Sequence, residues 1–124
     1  MIDLSPRPTV LVVEPDDLVR RVLVRRLATR CEVTPLANGA SALQRLREQH
    51  FDVLLLDLAV GDMPSAEVAR CALELDPELA IVVSATSTRT PSVPGSVAAL
   101  AKPYDSAAVD RALDLALGAR RRTA

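Results

Sequence analysis

The sequence predicts a doubly wound α/β domain built on a five-stranded parallel sheet. Three observations carry that expectation: apolar runs of strand length, segments of helical period between them, and a 124-residue chain that fits a single core. Strands separated by helices are joined by right-handed crossovers, which makes neighbouring strands parallel and puts helices on both faces.

The first strand is Thr9 to Val13, TVLVV, a β-branched run between Pro8 and Pro15 that suits burial on both faces. From Asp16 to Arg30, Val19, Val22, Leu23 and Leu27 recur at helical spacing, with Arg20, Arg21, Arg25 and Arg26 largely off that stripe. Glu32 to Leu36 reads as a second strand. It contains Pro35, which cannot donate to a ladder, so an edge position is expected. Asn38-Gly39 supplies a turn before a helix at about Ala40 to Glu48. The run FDVLLLDL, Phe51 to Leu58, is the strongest strand and carries Asp57 at its C-terminal end. Ser65 is expected to cap a helix to about Leu75, with Val68, Ala69, Ala72 and Leu75 inward and Asp76-Pro77 as the stop. Leu79 to Ser84 and Val97 to Ala101 form the last two strands. A final helix runs from Asp105 or Ser106 to Leu117, with Val109, Ala112, Leu113 and Ala116 inward and Gly118 as its end. The chain thus divides into a lead at 1–8, the domain at 9–118 and a basic tail at 119–124.

Composition removes several functions. A formal charge of -1 from 15 Lys+Arg and 16 Asp+Glu gives no broad electrostatic grip on nucleic acid or anionic lipid. Aromatic residues at 2% leave no base-stacking platform. Cys31 and Cys71 lie far apart beside a lone histidine, His50, which excludes a CxxC pair and a Cys/His zinc site and suits inert thiols. His50 has no matching nucleophile and no Gly-rich phosphate loop follows the first strand, so no enzyme is expected. Met1 to Thr9 has no apolar signal core and no later run exceeds strand length, so a cytoplasmic chain without a membrane segment is expected.

Doubly wound sheets gather their chemistry beyond the carboxyl ends of the strands. Those ends carry Glu14, Asp57, Ser84 and Lys102, which places two carboxylates, a hydroxyl and an ammonium along one edge. Lys102 is the only lysine in a chain whose other basic residues are arginine, and a compact ammonium suits a point contact to carboxylate or phosphate oxygens.

In order and spacing, VLVVEPDDLVRRVL, NGASAL, FDVLLLDL, IVVSA and GSVAALAKPYD resemble the receiver domain of bacterial two-component response regulators, a flavodoxin-like fold, over nearly the whole chain. The resemblance implies that Asp57 accepts a phosphoryl group from a histidine kinase or phosphotransfer protein, with Lys102 pairing with the acceptor and Ser84 binding the phosphoryl oxygen. It also implies Mg²⁺ held by Glu14, Asp16, Asp57 and the backbone of Ala59. Where receivers carry a second acid after the first strand, this chain has Pro15, which offers no side-chain ligand and weakens metal binding. Asp16 or Asp17 compensates by a loop shift, or Glu14, Asp16 and Asp17 serve the positive end of the first helix. The aromatic residue that receivers place three before the lysine is Ala99 here.

Between Ser84 and Lys102, Pro91 and Pro94 are incompatible with a helix interior, so the fourth helix of the receiver pattern is expected to be absent or reduced to a turn. Its loss would expose apolar surface that a homodimer would bury. The alternative to a phosphate acceptor is a pseudo-receiver, an interaction module that keeps the fold without phosphorylation. The arginines of the first helix are either a solvated face or a dock for an acidic partner.

Overall fold

The computed structural model of the chain describes residues 6–86 and 93–123, with side chains through Ala119. The elements follow in the order β1 (Thr9–Val13), α1 (Asp17–Leu27), β2 (Glu32–Leu36), α2 (Gly39–Glu48), β3 (Val53–Asp57), α3 (Ser65–Leu75), β4 (Ala80–Ala85), β5 (Ser96–Ala101) and α4 (Ser106–Thr123). All strands are parallel, in the order β2-β1-β3-β4-β5. The chain order reverses between β1 and β3, and ligand crevices in such sheets open beyond that point. β2 stands at the edge, as Pro35 requires.

Alternation along the strands builds two apolar layers. Leu11, Val13, Leu54, Leu56, Ile81 and Val83 face one way and pack with Ala42 and Leu43 of α2 and Val68, Ala69 and Ala72 of α3. Val10, Val12, Val53, Leu55, Val82 and Leu100 face the other way and meet Leu23 and Leu27 of α1 and Val109, Ala112, Leu113 and Ala116 of α4. Burial on both faces is the reason β1, β3 and β4 read as continuous apolar runs. The apolar stripes are narrower than the periodicity predicts: Val22 of α1 and Leu75 of α3 are 41% and 43% exposed.

Three local expectations are corrected. Asn38 is the N-cap of α2 rather than part of a separate turn, its side chain accepting from Ser41 N at 2.8 Å. Ser65 does not cap α3. Pro64 occupies the cap without a side-chain hydrogen bond, and its carbonyl accepts from Glu67 N and Val68 N at 3.0 and 3.1 Å. Gly118 does not end the last helix, which continues to Thr123. A glycine stops a helix by turning left-handed, and among the described residues only Gly95 has positive φ, at 85°, in the turn entering β5.

The expected loss of a helix between β4 and β5 falls on residues 87–92, outside the described residues. The described helices number four, two on each face of the sheet. None of them is long and apolar enough to cross a membrane.

Candidate functional site at the C-terminal edge of the sheet

Parallel strands of matched register deliver their last residues to one edge. Asp57 ends β3 and lies directly opposite Ser84 of β4, while Glu14 follows β1 and Lys102 follows β5. The edge is closed by backbone bonds: Leu58 N donates to Ser84 O at 2.9 Å, Lys102 N to Ala85 O at 2.8 Å and Glu14 N to Leu36 O at 3.0 Å. The side chains that the sequence singled out at the strand ends therefore meet, with Glu14, Asp57 and Ser84 all at 1% exposure or less.

Lys102 organises the charges. Its Nζ donates to Asp57 Oδ2 and stands 2.5 Å from Glu14 Oε1, so a single ammonium is shared between two buried carboxylates. Burial works against the ammonium, but Asp57 and Glu14 outweigh it and hold its pKa above the ordinary lysine value. For Glu14, burial raises the pKa, Lys102 and the Asp16 amide pull it down, and the charge of Asp57 adds to the rise. Asp57 Oδ1 accepts from Ala59 N at 2.6 Å, which fixes the carboxylate against the start of the β3–α3 loop.

Asp16 takes a different place. Its Oδ1 accepts from Leu18 N and Val19 N at 2.9 and 3.0 Å, making it the N-cap of α1, and these bonds lower its pKa. Pro15 bridges the two acids, and Asp16 N donates back to Glu14 Oε2 at 3.0 Å. Among the described residues, no three His, Cys, Asp or Glu side chains converge as a metal-holding group. What the edge offers a cation is the carboxylates of Glu14 and Asp57. These hard oxygen donors fit Mg²⁺, which needs only one or two carboxylates and keeps waters.

Two of the arginines of α1 turn back toward this edge. Arg20 Nη1 donates to Glu14 O at 2.7 Å and Arg26 Nη1 to Tyr104 O at 3.4 Å, whereas Arg21 and Arg25 are exposed. Ala99 is exposed on β5, away from the buried cluster. His50 stands beside Asp52 and Asp76, which flank the opposite ends of β3 and β4. Cys31 is buried, and burial raises its thiol pKa; Cys71 is half-buried, and neither forms a disulfide.

Two of the three buried polar atoms left without a hydrogen bond among the described residues lie here. The three are Glu14 Oε1, Ser84 Oγ and Tyr104 OH, of which Glu14 Oε1 is ion-paired with Lys102 at 2.5 Å. A buried hydroxyl left without a partner costs about 1–3 kcal/mol, whereas Glu14 Oε1 is compensated by the Lys102 charge. Glu14 Oε1 and Ser84 Oγ stand at the strand ends where an ammonium and two carboxylates converge, which is the property of a site built to receive an oxygen-rich ligand. Sequence reasoning named Glu14 and Ser84 but missed Tyr104, whose only local signal is its place two residues after Lys102 as the sole tyrosine.

Comparison with known proteins agrees with this geometry. The family model for the response regulator receiver domain matches residues 10–114. The response regulator receiver protein CpdR of Brucella abortus is 43% identical over 74 residues, 59% of this chain and 62% of that protein. A protein-glutamate methylesterase/protein-glutamine glutaminase of Rhodospirillum centenum is 30% identical over 82 residues, 64% of this chain but only 21% of that larger protein. The response regulator receiver protein of Sinorhizobium medicae superposes with a TM-score of 0.79 at 28% identity, covering 92% of this chain and 97% of that one. A CheY-like receiver domain protein of Methanospirillum hungatei, 18% identical, gives a TM-score of 0.85 over 95% of this chain and 99% of its own. The buried Asp57, its lysine partner and the sheet order thus stand in a chain that belongs to the response regulator receiver domain family of two-component signalling.

Proposed function

We propose that this receiver accepts a phosphoryl group on Asp57 from a histidine kinase or phosphotransfer protein in the cytoplasm. The observation that carries the reading is the ammonium of Lys102 on Asp57 Oδ2, with the unspent hydroxyl of Ser84 opposite in register. A carboxylate oxygen of Asp57 attacks the phosphorus of a phosphohistidine and the phosphorus to nitrogen bond breaks. The imidazole nitrogen leaves with the electron pair and takes a proton, and an acyl phosphate forms. Lys102 follows the new negative charge from the carboxylate to the phosphoryl oxygens, and Ser84 Oγ donates to one of them. Glu14, Asp57 and the Ala59 carbonyl would hold Mg²⁺, which when bound supplies positive charge beside the phosphoryl oxygens.

The test is incubation with a small-molecule phosphodonor with and without Mg²⁺, read by intact mass beside Asp57→Asn. Addition of one phosphoryl group that needs Mg²⁺ and disappears in the variant supports the reading. No addition at millimolar Mg²⁺ overturns it and favours the pseudo-receiver. That second reading draws on Pro15 and on Asp16, which is committed to the cap of α1.

A further inference from the structure

We propose that Arg20 of α1 is a positioning residue, whose guanidinium clamps the β1–α1 loop and so holds the Glu14 carboxylate in place for a divalent cation. The inference rests on the reading of Glu14 and Asp57 as the carboxylates that hold Mg²⁺, and deepens it by naming what keeps the first of them in position.

The loop is poor in ligands. Pro15 has no side-chain donor atom, Asp16 spends its carboxylate on the amides of Leu18 and Val19, and Asp17 is exposed and paired with Arg20. Glu14 is thus the one acid of the loop that reaches the buried edge, where its Oε1 meets Lys102. It stands one residue past Val13, the last residue of β1 in register with β2 and β3, so the ladder no longer fixes its carbonyl. A glutamate side chain also has one more rotatable bond than an aspartate, and ordering it needs more contacts.

Arg20 supplies the missing hold. Its Nη1 donates to the Glu14 carbonyl at 2.7 Å and reaches the Pro15 carbonyl at 3.5 Å, while Nη2 donates to Asp17. The rigid guanidinium plane therefore ties the end of β1 to the first turn of α1 across Pro15, and Arg20 N is itself bonded to Asp16 O at 2.9 Å. In the loop closed this way, Asp16 N meets Glu14 Oε2 at 3.0 Å. Arg20 is only 21% exposed, unlike its neighbours Arg21 and Arg25. Groups that orient a metal's ligands change its affinity about 10–100-fold when they are lost.

Charge gives the inference a sign. Removing a cation from the rim of an acidic site strengthens the attraction of that site for a metal ion, so electrostatics alone predicts tighter binding without Arg20. Loss of a clamp predicts the reverse.

The test is Mn²⁺ binding to the 124-residue chain, read from the paramagnetic resonance signal of the free ion. Arg20→Gln is expected to bind Mn²⁺ about tenfold more weakly than wild type, and Arg20→Lys, which keeps the charge but cannot span both partners, to fall between them. In a Glu14→Gln background the effect of Arg20→Gln is expected to disappear. Urea midpoints are expected to stay near wild type, since the Asp17 partner is exposed. Wild-type or tighter binding in Arg20→Gln overturns the inference, as does an effect that persists undiminished without the Glu14 carboxylate. A loss of affinity that follows a fallen midpoint in both variants marks a merely structural arginine and overturns it too, and so does a wild-type chain that binds no Mn²⁺ at millimolar concentration. A chain that binds Mn²⁺ with the expected dependence on Arg20, yet gains no phosphoryl group by intact mass, upholds the inference and removes the phosphoacceptor reading alone.

Discussion

Asp62 fastens the loop that leaves Asp57 to the first turn of α2: its two carboxylate oxygens accept from Gly39 N and Ala40 N, both at 2.9 Å. With Asn38 on Ser41 N, three amides at the start of α2 are satisfied by side chains, two of them by an acceptor in a loop 22 and 23 residues further along the chain. These amide bonds hold the Asp62 carboxyl below the ordinary aspartate value of 3.8. A depressed folded pKa stabilises the protein above the unfolded value, and that stability is lost as pH falls through the folded value. Asp62→Ala is therefore expected to lower the urea midpoint at pH 7, by less at pH 3. A deficit that stays constant between these pH values would show that the carboxylate charge is not what the loop uses.

Gly39 is needed at the same junction for a different reason. A Cβ there would stand 2.7 Å from Val68 Cγ2 and 2.9 Å from Met63 Cγ. Alanine in a helix normally gains up to about 1 kcal/mol over glycine. Overpacking against a buried β-branched side chain costs about 1–3 kcal/mol, and Val68 cannot rotate away from its layer. Gly39→Ala is expected to destabilise by about 1 kcal/mol in urea unfolding; a stabilised variant would mean that α2 slides outward at no cost.

Lys102 is expected to matter to stability as much as to chemistry. Lys102→Ala leaves Glu14 and Asp57 buried together without their cation, a loss of about 3–5 kcal/mol at neutral pH. Glu14 already has a raised pKa, chiefly from burial. A carboxyl with a raised folded pKa contributes stability that is complete below its unfolded value and lost as pH rises through the folded one. The deficit of Lys102→Ala should accordingly shrink as pH drops toward the ordinary glutamate value of 4.5. Urea unfolding at pH 7 and pH 5 measures it, and an equal deficit at both would place the effect outside the carboxylates.

Strand ends were the most legible part of the site. Glu14, Asp57, Ser84 and Lys102 each close or follow an apolar run, and a parallel sheet in register brings such residues to one edge whatever the loops do. Pro35 marked its own edge strand because a missing N–H is a local fact. Asp62 and Tyr104 were not legible, since what defines them lies far along the chain: the amides of α2 for one, enclosure by the α1 and α4 layer for the other. The caps failed for a similar reason. Ser65 and Gly118 have the residue types that end helices, but backbone geometry selects Pro64 at one terminus and carries α4 past the other.

On the phosphoacceptor reading, Ser84 is expected to affect the resting and the phosphorylated protein in opposite ways. Its side chain is fully buried and its hydroxyl has no hydrogen bond among the described residues, so the resting protein bears the cost of desolvating it without return. Ser84→Ala is nearly isosteric and removes that cost, which predicts a resting protein more stable by about 1 kcal/mol in urea unfolding. The acyl phosphate at Asp57 would lose a donor in the same variant, so its lifetime should shorten about tenfold, the rate equivalent of about 1.4 kcal/mol. The two effects have opposite signs, and packing alone does not produce that combination. Loss of resting stability in Ser84→Ala would mean that the hydroxyl is already bonded and held for structure, not kept unspent for a ligand.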